Sequence, residues 1–258
     1  MTSLQAIDWM TKLVGFSLII QSAEYFALRR QCVSDAVWSW EILQSDYSRY
    51  FRKMVSLFLN FPNILFVIFI QFCFAMSLLF VFEPKFWMVC ILFITSLLLS
   101  MRWRGTFNGG GDKMTMVSLI GLLIAYSDLQ NQFHAQLALW FIVFQSASSY
   151  FFAGLAKLKQ NVWLKGHGLQ SFLIAPLYPI PLGLKAWSEE NPAILKFANY
   201  FILIFECLFP LALFFPMSTK IFLGLAILFH LANFAVFGLN RFVFSWIATY
   251  PALFYISQ

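Results

Sequence analysis

The segment Tyr150-Phe-Phe-Ala-Gly-Leu-Ala-Lys-Leu-Lys-Gln-Asn-Val-Trp-Leu-Lys-Gly-His-Gly168 begins inside a long apolar run and ends in basic, polar residues. Tyr150, Gly154 and Lys157 are spaced i, i+4 and i+7, so a helix places them on one face. Glycine at 154 removes bulk from that face, which lets another helix or a ligand approach closely. The pattern therefore predicts a helix that ends near Lys157 at a polar boundary.

Two interpretations of Lys157 follow from this position. A lysine held out of water loses its proton more easily, because desolvation disfavours the charged form. The neutral amine can then act as a general base. In the other interpretation, Lys157 extends its ammonium to the membrane interface and only holds the helix end there.

The composition is that of a membrane protein. Of the 258 residues, 61% are hydrophobic and 11% are charged, whereas roughly a quarter of residues are charged in soluble domains. Several apolar runs are long enough to cross a hydrocarbon core of roughly 30 Å. We therefore expect an all-α, polytopic integral membrane bundle of about eight transmembrane helices, forming one domain over residues 1–258 with no soluble domain. The predicted spans are roughly 10–28, 63–82, 86–101, 113–128, 134–158, 194–216, 219–239 and 241–256.

The loops carry most of the positive charge. The net charge is +6, and the connections after the first, third and fifth spans hold most of the Lys and Arg. The positive-inside rule places these loops in the cytoplasm and the N-terminus outside, unless the basic residues serve chemistry instead. The polar connection 29–62 is amphipathic and suits a helix in the membrane plane. The sequence contains no basic, soluble domain of the kind that would indicate nucleic-acid binding.

Several kinds of site are absent from the sequence. The four cysteines form no C-x-x-C pair and three lie in apolar runs, so they are interpreted as packing residues. No cluster has metal-ligand spacing, and neither a G-x-S-x-G nor an H-E-x-x-H motif occurs. Gln21 and Glu24 interrupt the first apolar run and no small-residue cleavage site follows it, so we expect no cleaved signal peptide.

Ionisable groups inside apolar spans are costly, so each is a functional candidate. Besides Lys157, these groups are Glu24, Glu206 and His230. His230 lies near the middle of its span, and Asn233 at i+3 shares its face and can hydrogen-bond the ring. The same two residues could instead hold helices together. Glu206 could equally be a structural ion pair or a protonated carboxyl.

The segment Asn108-Gly-Gly-Gly-Asp112 offers backbone N–H groups and one carboxylate at the start of the fourth span. The alternative is a flexible turn in which Asp112 is the N-cap of that span. The spacing is not that of a P-loop.

Two blocks of the sequence resemble a known family. Tyr150-Phe-Phe-Ala-Gly-Leu-Ala-Lys-Leu with Trp163 and Gly166 resembles the Tyr-x-x-Ala-Gly-x-x-Lys-Leu…Trp-x-x-Gly stretch of vitamin K-dependent γ-glutamyl carboxylases. Phe229-His-Leu-Ala-Asn233, followed by the aromatic-rich end, resembles the second block, and Glu206-x-x-x-Pro210 matches the bacterial pattern. This membrane domain is shared by bacterial proteins called HTTM, for horizontally transferred transmembrane domain.

The resemblance implies a carboxylase-like reaction. In the carboxylases the matching lysine deprotonates vitamin K hydroquinone, and oxygen converts the quinol to a strong base. That base removes a γ-proton from a peptide glutamate, and carbon dioxide adds to the carbanion. By resemblance the cofactor is vitamin K hydroquinone or another membrane quinol, with CO2 and O2 as co-substrates. The implied catalytic residues are Lys157, His230 and Asp112, and the implied cofactor-binding residues are Tyr150, Gly154, Trp163, Asn233 and Glu206.

Two departures from the animal enzyme affect this implication. The loop before the fourth span lacks the assisting histidine, for which Asp112 is the candidate substitute. The chain also ends at Gln258, directly after the last span and without a large extramembrane region. We therefore expect a substrate peptide that is small, membrane-inserted or presented by a partner protein.

The compact size resembles the B component of the sporulation-delaying toxin maturation system, which implies a multi-pass protein of a bacterial inner membrane acting in peptide maturation. The alternative is a non-catalytic maturation, assembly or immunity partner that keeps only the fold. A transporter fits less well, because no matching pair of interrupted spans occurs in two halves.

Overall fold

The computed structural model describes residues 1–80, 84–103, 109–175 and 180–258, and every regular element in these ranges is a helix. The first seven α-helices are α1 (Ser3–Ala27), α2 (Trp40–Leu43), α3 (Arg49–Leu59), α4 (Ile64–Phe80), α5 (Phe86–Trp103), α6 (Gly109–Ser127) and α7 (Gln132–Leu158). The others are α8 (Asn161–Leu164), α9 (Gly168–Ile174), α10 (Leu182–Glu190), α11 (Pro192–Leu208), α12 (Pro216–Phe237), α13 (Asn240–Ile247) and α14 (Tyr250–Ile256). Short 3₁₀ segments occur at Arg29–Cys32, Gln44–Asp46 and Phe209–Leu213.

Four of the described helices are long and apolar enough to cross a membrane. They are α5, α7, α12, and α11 taken together with the 3₁₀ segment that follows it. A fifth is added if α3 and α4, which meet at a bend of 68°, form one broken span. The predicted all-helical, membrane-type fold is therefore confirmed, whereas the predicted number of about eight spans is not.

The remaining predicted spans differ from the expectation for physical reasons. Helix α1 has 25 residues, but Asp8, Lys12 and Glu24 make it less apolar. Helix α6 begins with three glycines, Asp112 and Lys113. The last predicted span is two short helices, because Pro251 in the first turn of α14 cannot donate a backbone bond to a preceding helix.

Parts of three predicted connections lie outside the described residues. These parts are residue 83 after the second predicted span, residues 104–108 after the third and residues 176–179 after the fifth. Residues 81–82, at the end of the second predicted span, also lie outside the described ranges.

The chain divides into two compact units. The first consists of Met1–Ile142 and Asn240–Tyr255, and α1 is central to it because it packs along α4 and also contacts α6 and α13. A Cβ at Gly15 of α1 would lie 2.9 Å from the Ala75 carbonyl oxygen, so this glycine allows α1 and α4 to approach closely. Tyr25 and Trp103 stack with ring centroids 4.1 Å apart and belong to one buried cluster with Trp38 and Trp40.

The second unit consists of Val143–Leu239 and Ile256–Gln258. The 3₁₀ segment Phe209–Leu213 contacts both α11 and α12, and the short helices α8, α9 and α10 each pack against α11. The second half of α7 also belongs to this unit, which therefore holds most of the residues that the sequence marked as a candidate site.

Candidate functional site

Lys157 and Glu206 form an ion pair between the last turn of α7 and the last turn of α11. Lys157 Nζ lies 2.7 Å from Glu206 Oε1 and 2.5 Å from Oε2. The glutamate side chain is 3% exposed and the lysine side chain 22% exposed, so the carboxylate is buried and the ammonium is closer to the surface. The structural interpretation of Glu206 as one half of an ion pair is therefore what the geometry shows.

Gly154 is the reason that α7 and α11 approach so closely at this point. A Cβ on Gly154 would lie 2.6 Å from Cys207 Sγ and 2.9 Å from the Cys207 backbone nitrogen. The predicted close approach at this glycine thus occurs, and the element that approaches is α11. The next residue toward the N-terminus of α11 is Glu206, so the glycine indirectly brings the carboxylate to Lys157.

The ring of Trp163 also lies close to the lysine. The Lys157 ammonium lies 5.3 Å from the centroid of the buried Trp163 ring, within the range of a cation–π interaction. Asn199 of α11 holds the turn that carries this ring: its Nδ2 donates to the Trp163 carbonyl at 2.9 Å, and its Oδ1 accepts from the Leu169 N–H at 3.2 Å. Asn199 is fully buried and was missed by the sequence analysis, although a polar residue in an apolar span is a usable signal.

A cavity of about 160 Å³ lies beside this lysine. Its wall is apolar and aromatic except for Lys157 and Asn233, and it consists of Lys157, Trp163, Leu169, Phe172, Ile202, Phe229, Asn233, Phe237 and Leu239. Three residues that the sequence marked, Lys157, Trp163 and Asn233, therefore share one cavity. Tyr150, Gly154, Glu206 and His230 are not among its lining residues.

His230 bonds to Tyr150. Tyr150 Oη and His230 Nε2 lie 2.6 Å apart, and both side chains are buried. The Tyr150 ring also stacks on Phe209, with centroids 3.8 Å apart. Asn233 Nδ2 instead donates to the Phe229 carbonyl at 2.8 Å. The ring of His230 is thus hydrogen-bonded as expected, but to a residue of α7 in place of its i+3 neighbour.

Asp112 belongs to a buried polar network of the first unit. Its carboxylate accepts hydrogen bonds from Gln21 Nε2 at 2.8 Å, from Tyr25 Oη at 3.3 Å and from Arg241 Nη1 at 2.8 Å. Burial raises the pKa of the Asp112 carboxyl, and the charge of Arg241 partly opposes this effect. Asp112 lies in the first turn of α6, where the helix dipole favours an anionic side chain. Asn108 lies outside the described residues.

The network extends further through Arg241 and Gln21. Arg241 Nε lies 2.7 Å from Glu24 Oε2, and Asn240 Nδ2 also donates to Glu24. Gln71 Nε2 donates to Gln21 Oε1 at 2.6 Å. The role of Arg241 was missed, because a basic residue at the first position of a predicted span looks like an interfacial residue. The carboxylate bonded to Lys157 is that of Glu206, and the described partners of Asp112 are Gln21, Tyr25 and Arg241.

A comparison with protein families identifies the family of the chain. The family model of the HTTM domain matches residues 114–257, which is more than half of the chain. The chain belongs to the HTTM family. The matched region of this HTTM protein includes Lys157, Trp163, Glu206, His230 and Asn233, whereas Asp112 precedes it. No curated protein and no solved structure matches the chain. The HTTM match and the four apolar helices fit a membrane protein related to the γ-carboxylases.

Proposed function

We propose that this HTTM protein binds the ring of a lipophilic quinol in the cavity beside Lys157 and takes part in a carboxylase-like modification of a peptide. The observation that carries the proposal is the position of the Lys157 ammonium in the wall of an otherwise apolar, aromatic cavity. A cationic donor in such a wall suits a ring that carries a hydroxyl group, because the ring contacts the aromatic side chains and the oxygen contacts the ammonium.

The residues present fit the ring of a quinol. Trp163, Phe172 and Phe229 offer flat apolar faces, and Lys157 and Asn233 offer two polar contacts. The volume of about 160 Å³ is below the roughly 300–1,000 Å³ of drug-sized pockets, so the cavity suits a ring and leaves an isoprenoid tail to the lipid.

The Lys157–Glu206 pair can hold and move a proton. In the ionic form, the ammonium donates to both carboxylate oxygens of Glu206. Transfer of one proton from Nζ to the carboxylate gives a neutral amine and a carboxylic acid, a form that low dielectric surroundings favour relative to separated charges. The neutral Lys157 Nζ can then accept a proton from a hydroxyl in the cavity. The ammonium so formed lies next to the resulting oxyanion, while Glu206 keeps the first proton.

A vitamin K-type hydroquinone, when bound, supplies together with O2 the strong base that removes a glutamate γ-proton before CO2 adds. Lys157 would accept the hydroxyl proton while Glu206 holds the proton that Nζ gave up, and the aromatic wall would exclude water from the site. The family resemblance supports a small secreted or membrane peptide as substrate, a partner protein that presents it, and a bacterial inner membrane as the location.

Binding of menadiol, a reduced naphthoquinone without a tail, tests the cavity. The purified full-length protein in detergent is titrated with menadiol, and quenching of tryptophan fluorescence reports binding. We expect weaker binding by Asn233→Leu and Phe229→Ala, and unchanged binding by Lys159→Arg, whose lysine is exposed two residues beyond Lys157. Equal binding by all variants, or none by the wild type, contradicts the proposal.

One observation favours a second candidate function. Glu206 engages Lys157 through both oxygens, which stabilises the ammonium and opposes its use as a base. This arrangement suits a non-catalytic maturation, assembly or immunity partner in which the pair only joins α7 to α11. Lys157→Arg separates the two functions, because arginine keeps the ion pair and cannot become a neutral base.

A further inference from the structure

A second cavity, polar in character, lies in the first unit and has no part in the proposed quinol site. Its volume is about 370 Å³. It lies between the segment that contains α2 and α3 and the end of α5, and its lining residues include Ser39, Gln44, Ser56, Asn60 and Arg102.

Arg102 is the unusual member of this lining. It is fully buried, and its Nη2 donates to the Cys32 carbonyl at 2.6 Å. Its Nε and Nη1 have no hydrogen-bond partner among the residues that the structure describes. A buried guanidinium with two uncompensated donors is costly, so such a group indicates a missing anionic or polar partner.

Two other lining residues have side-chain donors without a recorded partner in the described ranges. These are the hydroxyl of Ser39, which is 2% exposed, and the amide of Asn60, which is exposed. By contrast, Ser56 is already engaged, since its Oγ donates to the Arg52 carbonyl at 2.6 Å and accepts from Trp40 Nε1 at 2.8 Å. The available donors therefore come from Ser39, Asn60 and Arg102.

We infer that this cavity binds a phosphate group through Arg102, Ser39 and Asn60. A tetrahedral phosphate has several oxygens that can accept bonds from separate directions, which matches three donor residues better than a planar carboxylate does. Arginine also suits a phosphate, because its guanidinium keeps its positive charge and donates charge-assisted hydrogen bonds from several nitrogens. Glu41 is part of the lining, but it is exposed and accepts a hydrogen bond from Ser34 at 3.2 Å, so its charge lies nearer the solvent than that of Arg102.

The phosphate can be free or part of a phospholipid headgroup. Phe61, another lining residue, is 43% exposed, and α3 presents Tyr50, Met54 and Leu57 to the surface. An exposed apolar surface next to a phosphate site suits a lipid. The chemistry of recognition is the same for both sources, so the experiment has to separate them.

The test uses the purified full-length protein in detergent. In one arm inorganic phosphate is titrated and the shift in thermal unfolding is measured. In the other arm, native mass spectrometry measures retention of phosphatidylethanolamine and phosphatidylglycerol. A response in the first arm alone identifies free phosphate, and a response in the second alone identifies a headgroup. Either result supports the site if the variants described below weaken the measured binding.

Three variants locate the binding. Arg102→Gln should weaken it by at least about tenfold, because the charge-assisted hydrogen bonds of the guanidinium are lost. Since Arg102 also binds the Cys32 carbonyl, this variant can fail to fold, and Asn60→Asp then decides. Asn60→Asp is isosteric, lies at an exposed position and adds a negative charge to the cavity, so it should also weaken binding. Asn131→Asp makes the same change at an exposed residue outside the lining and should leave binding unaltered.

Two results would overturn the inference. If the wild-type protein binds neither phosphate nor lipid, water fills the cavity and satisfies Arg102. If binding occurs but a folded Asn60→Asp variant binds as the wild type does, the phosphate lies elsewhere.

Discussion

Lys157 Nζ lies 2.7 Å and 2.5 Å from the two carboxylate oxygens of Glu206, so the cation on α7 and the anion on α11 act as one group. The carboxylate is the more deeply buried member, with 3% of its side chain exposed against 22% for the lysine. Removal of the lysine therefore leaves a buried carboxylate, whereas removal of the carboxylate charge leaves an ammonium that is closer to the surface.

The first prediction concerns the stability of the pair. Lys157→Met leaves a buried carboxylate without its partner, and we expect a loss of up to roughly 3–5 kcal/mol in the free energy of unfolding. Glu206→Gln should cost less, because the remaining ammonium can reach water. Unfolding in detergent measures both variants, and the double variant Lys157→Met/Glu206→Leu should recover part of the loss. Equal losses from the two single variants would argue against this description.

The second prediction concerns Gly154. A Cβ there would meet the backbone nitrogen of Cys207 at 2.9 Å, so Gly154→Ala must displace α11 and should cost about 1–3 kcal/mol. Gly224→Ala is the matched control, because a Cβ at Gly224 meets nothing within 4 Å. We expect it to be neutral or to stabilise by up to about 1 kcal/mol, as alanine is the better helix former. If both variants unfold at the same temperature, close approach of α7 and α11 is not required.

The third prediction concerns the bond between Tyr150 and His230. Tyr150→Phe keeps the stack on Phe209 but removes the hydroxyl, so it should destabilise the protein by about 1–3 kcal/mol. His230→Leu should leave membrane insertion intact and lower function if the ring supports the site. Circular dichroism during heating checks the first variant, and the γ-carboxyglutamate content of cells that express the protein checks the second. A fully active His230→Leu variant would limit the histidine to packing.

The fourth prediction concerns Arg241, whose guanidinium joins Asp112 and Glu24. Arg241→Met leaves both carboxylates without this cation, and we expect a loss of roughly 3–5 kcal/mol. Lys12→Met is the control, since the Lys12–Asp8 pair is 43% and 50% exposed and such pairs contribute at most about 1 kcal/mol. Comparable losses from the two variants would show that the Arg241 network does not stabilise the first unit.

Local patterns in the sequence predicted the all-helical fold and the face of α7 that α11 approaches. The apolar run around Tyr150 predicts α7, and the i+4 spacing to Gly154 predicts a close approach that the structure contains. The end of the chain was harder, because hydropathy alone does not show that Pro251 divides the last apolar run into α13 and α14.

The partners of the buried polar residues could not be predicted, because they depend on tertiary packing. Glu206 is 49 residues from Lys157, His230 is 80 from Tyr150, and Arg241 is 129 from Asp112. A sequence shows that such groups are costly in an apolar span, but not which opposite group relieves the cost. Local reasoning therefore favoured Asn233 as the partner of His230, since only its helical neighbours are known in advance.

The most direct test of the account is the γ-carboxyglutamate content of cells that express Lys157→Arg. Mass spectrometry of alkaline protein hydrolysates measures this content in cells expressing the wild type, Lys157→Arg or Lys159→Arg at matched levels with a quinol supply. If Lys157 accepts a proton, Lys157→Arg keeps its abundance and loses γ-carboxyglutamate, while Lys159→Arg behaves as the wild type does. An active Lys157→Arg variant, or a wild type that gives no more γ-carboxyglutamate than cells without the protein, would contradict the account.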